Sequence, residues 1–327
     1  MGEVKREIII AAIQMESIHG EIKKNQARAT ILIEQAARDG AELIILPELF
    51  SCGYIPNSNI WKYGEANNSN TVKWLQETSR RLGIYLGAGL IEILENDYIN
   101  TFVITNPKGD IEGRAQKNNA ESYCFKRGKG EHIIHSSLGK IGVGICADNH
   151  YSSFIKQIQE DNIDLLLMPH ATPSPFKTSK TVTDDDIKKA EEGIKGFPSL
   201  VTSLLGVPTV FVNQIGKIAT ISGVLGKIIN PDVFRLQGYS RIIDSDGALK
   251  AELADKEGIA LAKVVLDPSC KKNNEIPDYY GWIHSGSRIV RKGLTPLDIL
   301  IGSAYYKISV KRKREIKKIL ATSPNNM

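Results

Sequence analysis

Residues 140–170 read KIGVGICADNHYSSFIKQIQEDNIDLLLMPH, and this stretch sets the fold class. Lys140–Cys146 and Leu165–Met168 are short apolar runs that read as strands, and Ser152–Asn162 between them reads as a helix. The unit repeats outward in both directions. Toward the N-terminus, Glu7–Gln14 is a β-branched strand and Asn25–Arg38 a helix with a stripe of Ala27, Ile31, Ala36 and Ala37. Leu43–Leu46 is a second buried strand, Thr71–Leu82 a helix, and Ile84–Leu90 and Asn100–Thr105 are strands. The last of these runs into NPKGD, a turn that joins it to Ile111–Gln116 as a hairpin. Toward the C-terminus, Asp185–Leu205 is mostly helical and Pro208–Val212 is a strand; Tyr239–Ile243 and Ile259–Val265 are strands flanking the turn DSDG.

Alternating βα units with neighbouring hairpins predict a large α/β system of mixed sheets with helices outside, rather than a purely parallel doubly wound sheet. No repeat, low-complexity tract or Gly/Ser linker interrupts it, so residues 1–267 read as one domain. From Pro268 the alternation stops. Residues 268–327, with PDYYGW and a basic tail, read as an extension that packs on the domain or at an oligomer interface.

With 327 residues, 42% of them hydrophobic, the chain can bury a core without staples. Its longest apolar stretches, Ile8–Ile13 and Leu43–Pro47, fall far short of the roughly 18 residues a membrane helix needs. The opening MGEVKREIII lacks the apolar core of a signal peptide, so a cytoplasmic location without a membrane partner is expected. Cys52, Cys124, Cys146 and Cys270 form no CxxC pair, which argues against a disulfide framework or a zinc site. The net charge of +5 is a property of the tail. Residues 307–318, KISVKRKREIKK, hold seven Lys/Arg and one Glu, leaving 35 basic against 36 acidic residues elsewhere. A solvated terminal helix is the simpler reading of that tail, and a patch for nucleic acid or an anionic membrane the other. Without a base-reading or stacking module, no nucleic-acid partner is expected.

In open α/β sheets ligands bind beyond the carboxyl ends of strands, so the polar residue closing each apolar run matters most. LIILP ends in Glu48, IEGRAQ in Lys117, KIGVGI in Cys146, LLLMP in His170 and TVFV in Asn213. Singly, each has an ordinary explanation: a buried small hydrophobe, a cap, a solvated ammonium, a satisfied loop side chain. Together they offer a thiol, a carboxylate to take its proton and an ammonium to stabilise both thiolate and oxyanion. No GxSxG motif competes, and a Cys-His pair would have only His170 to draw on.

Five segments in order resemble the nitrilase, or carbon–nitrogen hydrolase, superfamily: LIILPELF, GRAQKNNAE, GKIGVGICAD, LLLMPHATP, and FVNQIG followed by QGYSRIIDSDG. The resemblance covers about residues 7–266. It implies a four-layer αββα sandwich, paired into a homodimer or a larger homo-oligomer, and a Glu-Lys-Cys triad needing neither metal nor organic cofactor. On that pattern Glu48 is the general base, Lys117 stabilises the tetrahedral intermediate and Cys146 forms a thioester, with the Ala147 N–H completing the oxyanion site. A second, supporting glutamate falls between Lys and Cys in many members; Glu121 and Glu131 lie in that interval, and Glu121 fits better because Phe125 and Gly128 follow it.

The implied substrate is a small linear amide, with a nitrile or an N-carbamoyl amine as alternatives. Cys146-Ala147-Asp148 has the Asp of the amidase and carbamoylase branches but lacks their aromatic, and Asn149-His150-Tyr151 departs from their Arg-containing continuation. Tyr54, Asp148, His150, His170 and Asn213 are candidates for binding substrate, and residues 176–196 are a candidate lid. A catalytically silent binding protein is the reading from a different class.

Overall fold

The computed structural model describes residues 5–66, 69–130 and 132–322. Glu131, the alternative second glutamate, lies outside them. Strand β1 (Arg6–Gln14) leads into helix α1 (Ile22–Arg38), β2 (Leu43–Ile45) and α2 (Asn70–Leu82). Strands β3 (Tyr85–Leu94), β4 (Asp97–Thr105) and β5 (Ile111–Gln116) follow. The chain continues through β6 (Ile133–Ser136), β7 (Gly139–Val143), α3 (Ser152–Glu160), β8 (Leu165–His170) and β9 (Pro173–Pro175). Helix α4 (Asp184–Leu205), β10 (Thr209–Asn213), β11 (Ile215–Gly216) and the single turn α5 (Leu225–Ile228) come next. The strands end with β12 (Phe234–Gln237), β13 (Arg241–Ile243), β14 (Leu249–Glu252) and β15 (Gly258–Leu266).

Two six-stranded sheets form, ordered β15-β1-β2-β3-β4-β5 and β14-β13-β10-β8-β7-β6, beside a small sheet β11-β12-β9. Both large sheets are mixed. β2 pairs parallel with β1 and β3, and β8 parallel with β7 and β10, while the hairpins supply antiparallel edges. Side chains alternate across each strand, which builds the layers. Ile8, Ile10 and Ala12 of β1 point inward and meet Ile141, Val143, Leu167 and Val210 of the second sheet. Ala11 and Ile13 point outward against Ala29 and Ile33 of α1 and Val72 and Leu75 of α2. On the far side, Leu166, Met168 and Phe211 pack on α3 and α4 through Phe154, Ile158, Val201 and Leu205. The result is the expected αββα sandwich.

Several sequence readings need correction. In α1 the buried face is Asn25, Ala29, Ile33 and Ala36, whereas Ala27 and Ile31 face solvent. Asn25 belongs inside because its amide bonds Ile18 and Ser51 backbone groups, a partner set invisible in a polarity pattern. Strand β7 ends at Val143, so Cys146 sits on a following 3-10 turn (Cys146–His150) rather than on the strand. The basic tail is not freely solvated. It forms helix α7 (Val310–Thr322) after α6 (Thr295–Ile308), and Arg312, Glu315 and Ile316 are buried. Arg312 holds Asp97 Oδ1 at 2.8 Å and the Asn96 carbonyl at 2.9 Å, and Tyr306 Oη accepts from the Tyr98 N–H. Residues 176–196 divide into an exposed loop and the first half of α4, which starts with a Thr183–Asp186 capping box.

One glycine positions the site. A Cβ on Gly89 of β3 would lie 2.6 Å from the Leu49 N and 2.8 Å from Glu48 Cα, so β3 can pass beneath the Glu48 turn only without a side chain. Backbone atoms cannot step aside cheaply. Gly89→Ala is expected to cost about 1–3 kcal/mol in denaturant unfolding and to lower activity by displacing Glu48.

Candidate active site

Glu48 follows β2, Lys117 follows β5 and Cys146 follows β7, so both sheets contribute to one cluster. Glu48 and Lys117 are wholly buried, and the Lys117 ammonium donates to Glu48 Oε1 at 2.7 Å and to Glu121 Oε1 at 2.9 Å. Asn100 Nδ2 donates to the same Glu48 oxygen at 2.8 Å. Glu48 Oε2 is buried and accepts no hydrogen bond from a described residue, which leaves one carboxylate oxygen able to receive a proton. Gln214 Nε2 fixes the Glu48 carbonyl at 2.5 Å, and the Tyr54 hydroxyl donates to Glu121 Oε1 at 3.1 Å. Leu49 and Cys146 have φ of 51° and 49°, left-handed conformations that side-chain-bearing residues rarely adopt. Backbone strain thus sits beside the carboxylate and at the thiol, where surrounding bonds must hold it.

The charges explain the protonation states. Burial raises the Glu48 pKa above its ordinary value, and Lys117 only partly offsets it. Burial also works against the Lys117 ammonium, but Glu121 and Glu48 outweigh it and hold the pKa well above 10.5. The Cys146 thiol is pushed up to about 12 by burial and by Glu48, with Lys117 pulling the other way. At rest the site therefore holds a charged ammonium, a carboxylate of raised proton affinity and a protonated thiol. Such a thiol needs a base at the moment of attack.

The second-tier candidates occupy varied places. Asp148 is buried and accepts from the Asn119 N–H at 2.7 Å and the Asn118 N–H at 3.2 Å, bracing the turn directly after Lys117. Asn213 ties together two loops, accepting from the Thr172 N–H at 3.0 Å and donating to the Gly238 carbonyl at 3.0 Å. His150 stacks on Phe197 of α4 and shares a 3.0 Å hydrogen bond with His284 of the extension. The extension therefore reaches the Cys146 turn: the Ile283 N–H donates to the His150 carbonyl and the Ser152 N–H to the Gly281 carbonyl. Ala147 follows Cys146 within that turn. Of the other cysteines, Cys52 and Cys124 are fully buried, and burial raises both thiols, Cys52 to about 12.

His170 belongs to a chain of contacts that sequence spacing did not reveal. Asn149 Nδ2 lies 2.6 Å from the Gly144 carbonyl, which fixes it as a donor, and 3.1 Å from His170 Nε2. That nitrogen must accept. Burial holds the imidazole neutral, its pKa well below 6.5, so its single proton is on Nδ1 and donates to Thr172 Oγ1 at 2.9 Å. The Thr172 hydroxyl hydrogen is left for Cys146 Sγ, 3.7 Å away. Asn149, Thr172, Asn100 and Gln214 were missed as site residues. Only Thr172 and Asn149 carried a signal, by lying two and three residues from strand-end His170 and from Cys146.

A donor aimed at the thiolate is worth about 1.5–3 kcal/mol. Thr172→Val should lower the rate of thiolate attack about 10- to 100-fold and raise the Cys146 pKa further. Both are read from the pH dependence of alkylation by iodoacetamide. An unchanged profile contradicts the relay.

Among the described residues, no group of three or more His, Cys, Asp or Glu side chains is placed to hold a metal ion. No described helix is long and apolar enough to cross a membrane.

Comparison with known proteins agrees with this geometry. A family model described as carbon–nitrogen hydrolase matches residues 9–190. An N-carbamoylputrescine amidase of Arabidopsis thaliana is 25% identical over 80% of this chain and 88% of its own. An omega-amidase of Danio rerio is 29% identical over 45% of this chain and 57% of its own. Among solved structures, a carbon–nitrogen hydrolase from Helicobacter pylori G27 superposes with a TM-score of 0.70 at 21% identity, over 81% of this chain and 90% of that one. An amidase from Nesterenkonia sp. does so with a TM-score of 0.63 at 18% identity, over 80% and 91%. The family match spans more than half of the chain and includes the strands that deliver Glu48, Lys117 and Cys146, so the protein belongs to the carbon–nitrogen hydrolase family.

Proposed function

We propose that this enzyme hydrolyses a small linear amide through a thioester on Cys146. The observation that carries the reading is the buried ammonium of Lys117, bonded to Glu48 and Glu121 and electrostatically coupled to the Cys146 thiol. Glu48 takes the thiol proton as sulfur attacks the carbonyl carbon. The Lys117 ammonium and the Ala147 N–H hold the resulting oxyanion. As the C–N bond breaks, Glu48 returns the proton to the departing nitrogen, releasing ammonia or an amine. Glu48 then deprotonates a water, which attacks the thioester; the acid leaves and the thiolate regains its proton. Glu121 positions Lys117 and, through Tyr54, the pocket wall.

The relatives named above act on N-carbamoylputrescine and on omega-amides, by their names, and the Nesterenkonia amidase has been seen with the acetamide moiety of fluoroacetamide on its active-site cysteine. These support amides over nitriles for this chain. An ammonia-release screen over short aliphatic amides, ω-amides of dicarboxylates, carbamoyl amines and the matching nitriles tests the reading. Release from amides is expected, with the paired nitriles slower. Faster turnover of nitriles, or no release from the amides and carbamoyl amines, contradicts it.

A further inference from the structure

Helix α6 and the basic helix after it present two surfaces to solvent that the hydrolase chemistry does not use. The face of α6 carrying Asp298, Gly302 and Tyr306 is buried against the domain: Asp298 Oδ1 accepts from the Val224 N–H at 2.8 Å and Tyr306 bonds Tyr98 and Asp97. The opposite face is aliphatic and exposed. Leu297, Leu300 and Ile301 are 48%, 68% and 46% exposed, and Ile289, Ile308 and Val310 at the two ends of the segment are each more than 70% exposed. A contiguous apolar patch of this kind on a single chain marks an interaction surface.

Charge identifies what fits the patch. Residues 288–318 contain ten Lys/Arg and two acidic residues, so this segment carries +8 while the rest of the chain carries −3. Arg312 is spent on the Asp97 anchor, but Lys307, Lys313, Arg314, Lys317 and Lys318 are exposed. A second copy of the chain seated on α6 would bring two such positive segments together. An anionic lipid surface instead offers hydrocarbon for the aliphatic side chains and headgroups for the cations. An apolar helical face flanked by Lys and Arg, too short to span, is the pattern of a helix lying in the membrane interface.

We propose that α6 and α7 dock this protein reversibly on anionic membrane surfaces, with α6 entering the headgroup–acyl boundary and the exposed cations of α7 lying on the phosphates. The surface was expected to have no membrane partner because the sequence holds no spanning segment; interfacial docking needs none. The inference is independent of the catalytic reading.

The test uses the full chain with phosphatidylcholine vesicles, with and without phosphatidylglycerol, in a sedimentation assay. Binding to the anionic vesicles alone is expected, weakening as salt rises. Leu300→Asp with Ile301→Asp, and separately Lys313→Glu with Lys317→Glu, should each lower the partition coefficient about tenfold or more. All four side chains are exposed, and circular dichroism with thermal unfolding checks that both variants stay folded. Equal binding to neutral vesicles, or undiminished binding by both folded variants, overturns the proposal. So does light scattering that shows an oligomer dissociated by the apolar pair, which would assign the face to a second copy. Tight duplex DNA binding without vesicle binding would assign the cations to nucleic acid and overturn it as well.

Discussion

Cys146→Ala is expected to abolish ammonia release from every amide the enzyme accepts, a loss of about 10⁴-fold or more. The magnitude follows from the absence of a substitute nucleophile. Cys52 and Cys124 are sealed in the core, and neither has a carboxylate aimed at it by an ammonium as Glu48 is by Lys117. Cys270 stands on a 3-10 turn after β15, remote in the fold from the strand ends that carry the site. Without the sulfur, Glu48 could still activate water, but direct attack on an amide forgoes the easier two-step path. Thermal stability should change little, because Cys146 is partly exposed and its Sγ makes only the long contact to Thr172. A loss of activity with folding intact separates a chemical role from a structural one.

Lys117→Met should give the largest loss of stability, about 3–5 kcal/mol near neutral pH. The substitution keeps much of the side chain's volume but removes the ammonium between Glu48 and Glu121, leaving two carboxylates facing one another out of water. Their remaining option is to bind a proton. Burial already raises the Glu48 pKa, and losing Lys117 raises it further. A carboxyl whose folded pKa lies above its unfolded value of about 4.5 destabilises the fold above that folded pKa, and the penalty disappears as pH falls toward 4.5. The gap between variant and wild type should therefore narrow on acidification, as denaturant unfolding at several pH values will read. A gap independent of pH would mean that packing, not charge, is the cause. Adding Glu48→Gln to Lys117→Met should recover part of the stability and none of the activity.

Much of the site was legible because its chemistry sits where apolar runs end. A strand must be apolar to lie between two layers, and the first polar residue beyond it marks the rim. Glu48, Lys117 and Cys146 were found that way, before any geometry. The hydrogen-bond wiring was not legible. Asn149 and Thr172 are ordinary loop residues in sequence, and their roles depend on a carbonyl at Gly144 and a neutral imidazole brought from β8. Asp148, His150 and Asn213 were correctly singled out as strand-end or turn residues, but their bonds to backbone and to the extension follow from tertiary contacts.

The helices failed differently. Asn25 breaks the apolar stripe of α1 and yet is buried, because its amide replaces backbone partners at Ile18 and Ser51. Apolar residues run almost around α6, so no stripe announced which side would dock; Asp298 and Tyr306, polar at their tips, face inward while Leu300 faces out. The segment 268–327 therefore read as featureless, although Gly281–His284 lies against the Cys146 turn and Arg312 clamps the β3–β4 hairpin.

The central claim is that Cys146 is the activated nucleophile of an amide-binding site. Intact-mass spectrometry with peptide mapping after exposure to fluoroacetamide tests it most directly. The account predicts one added acetamide moiety, mapped to Cys146 in the wild type and missing in Cys146→Ala. An adduct that maps to Cys270 instead, or equal incorporation by the two proteins, would contradict it.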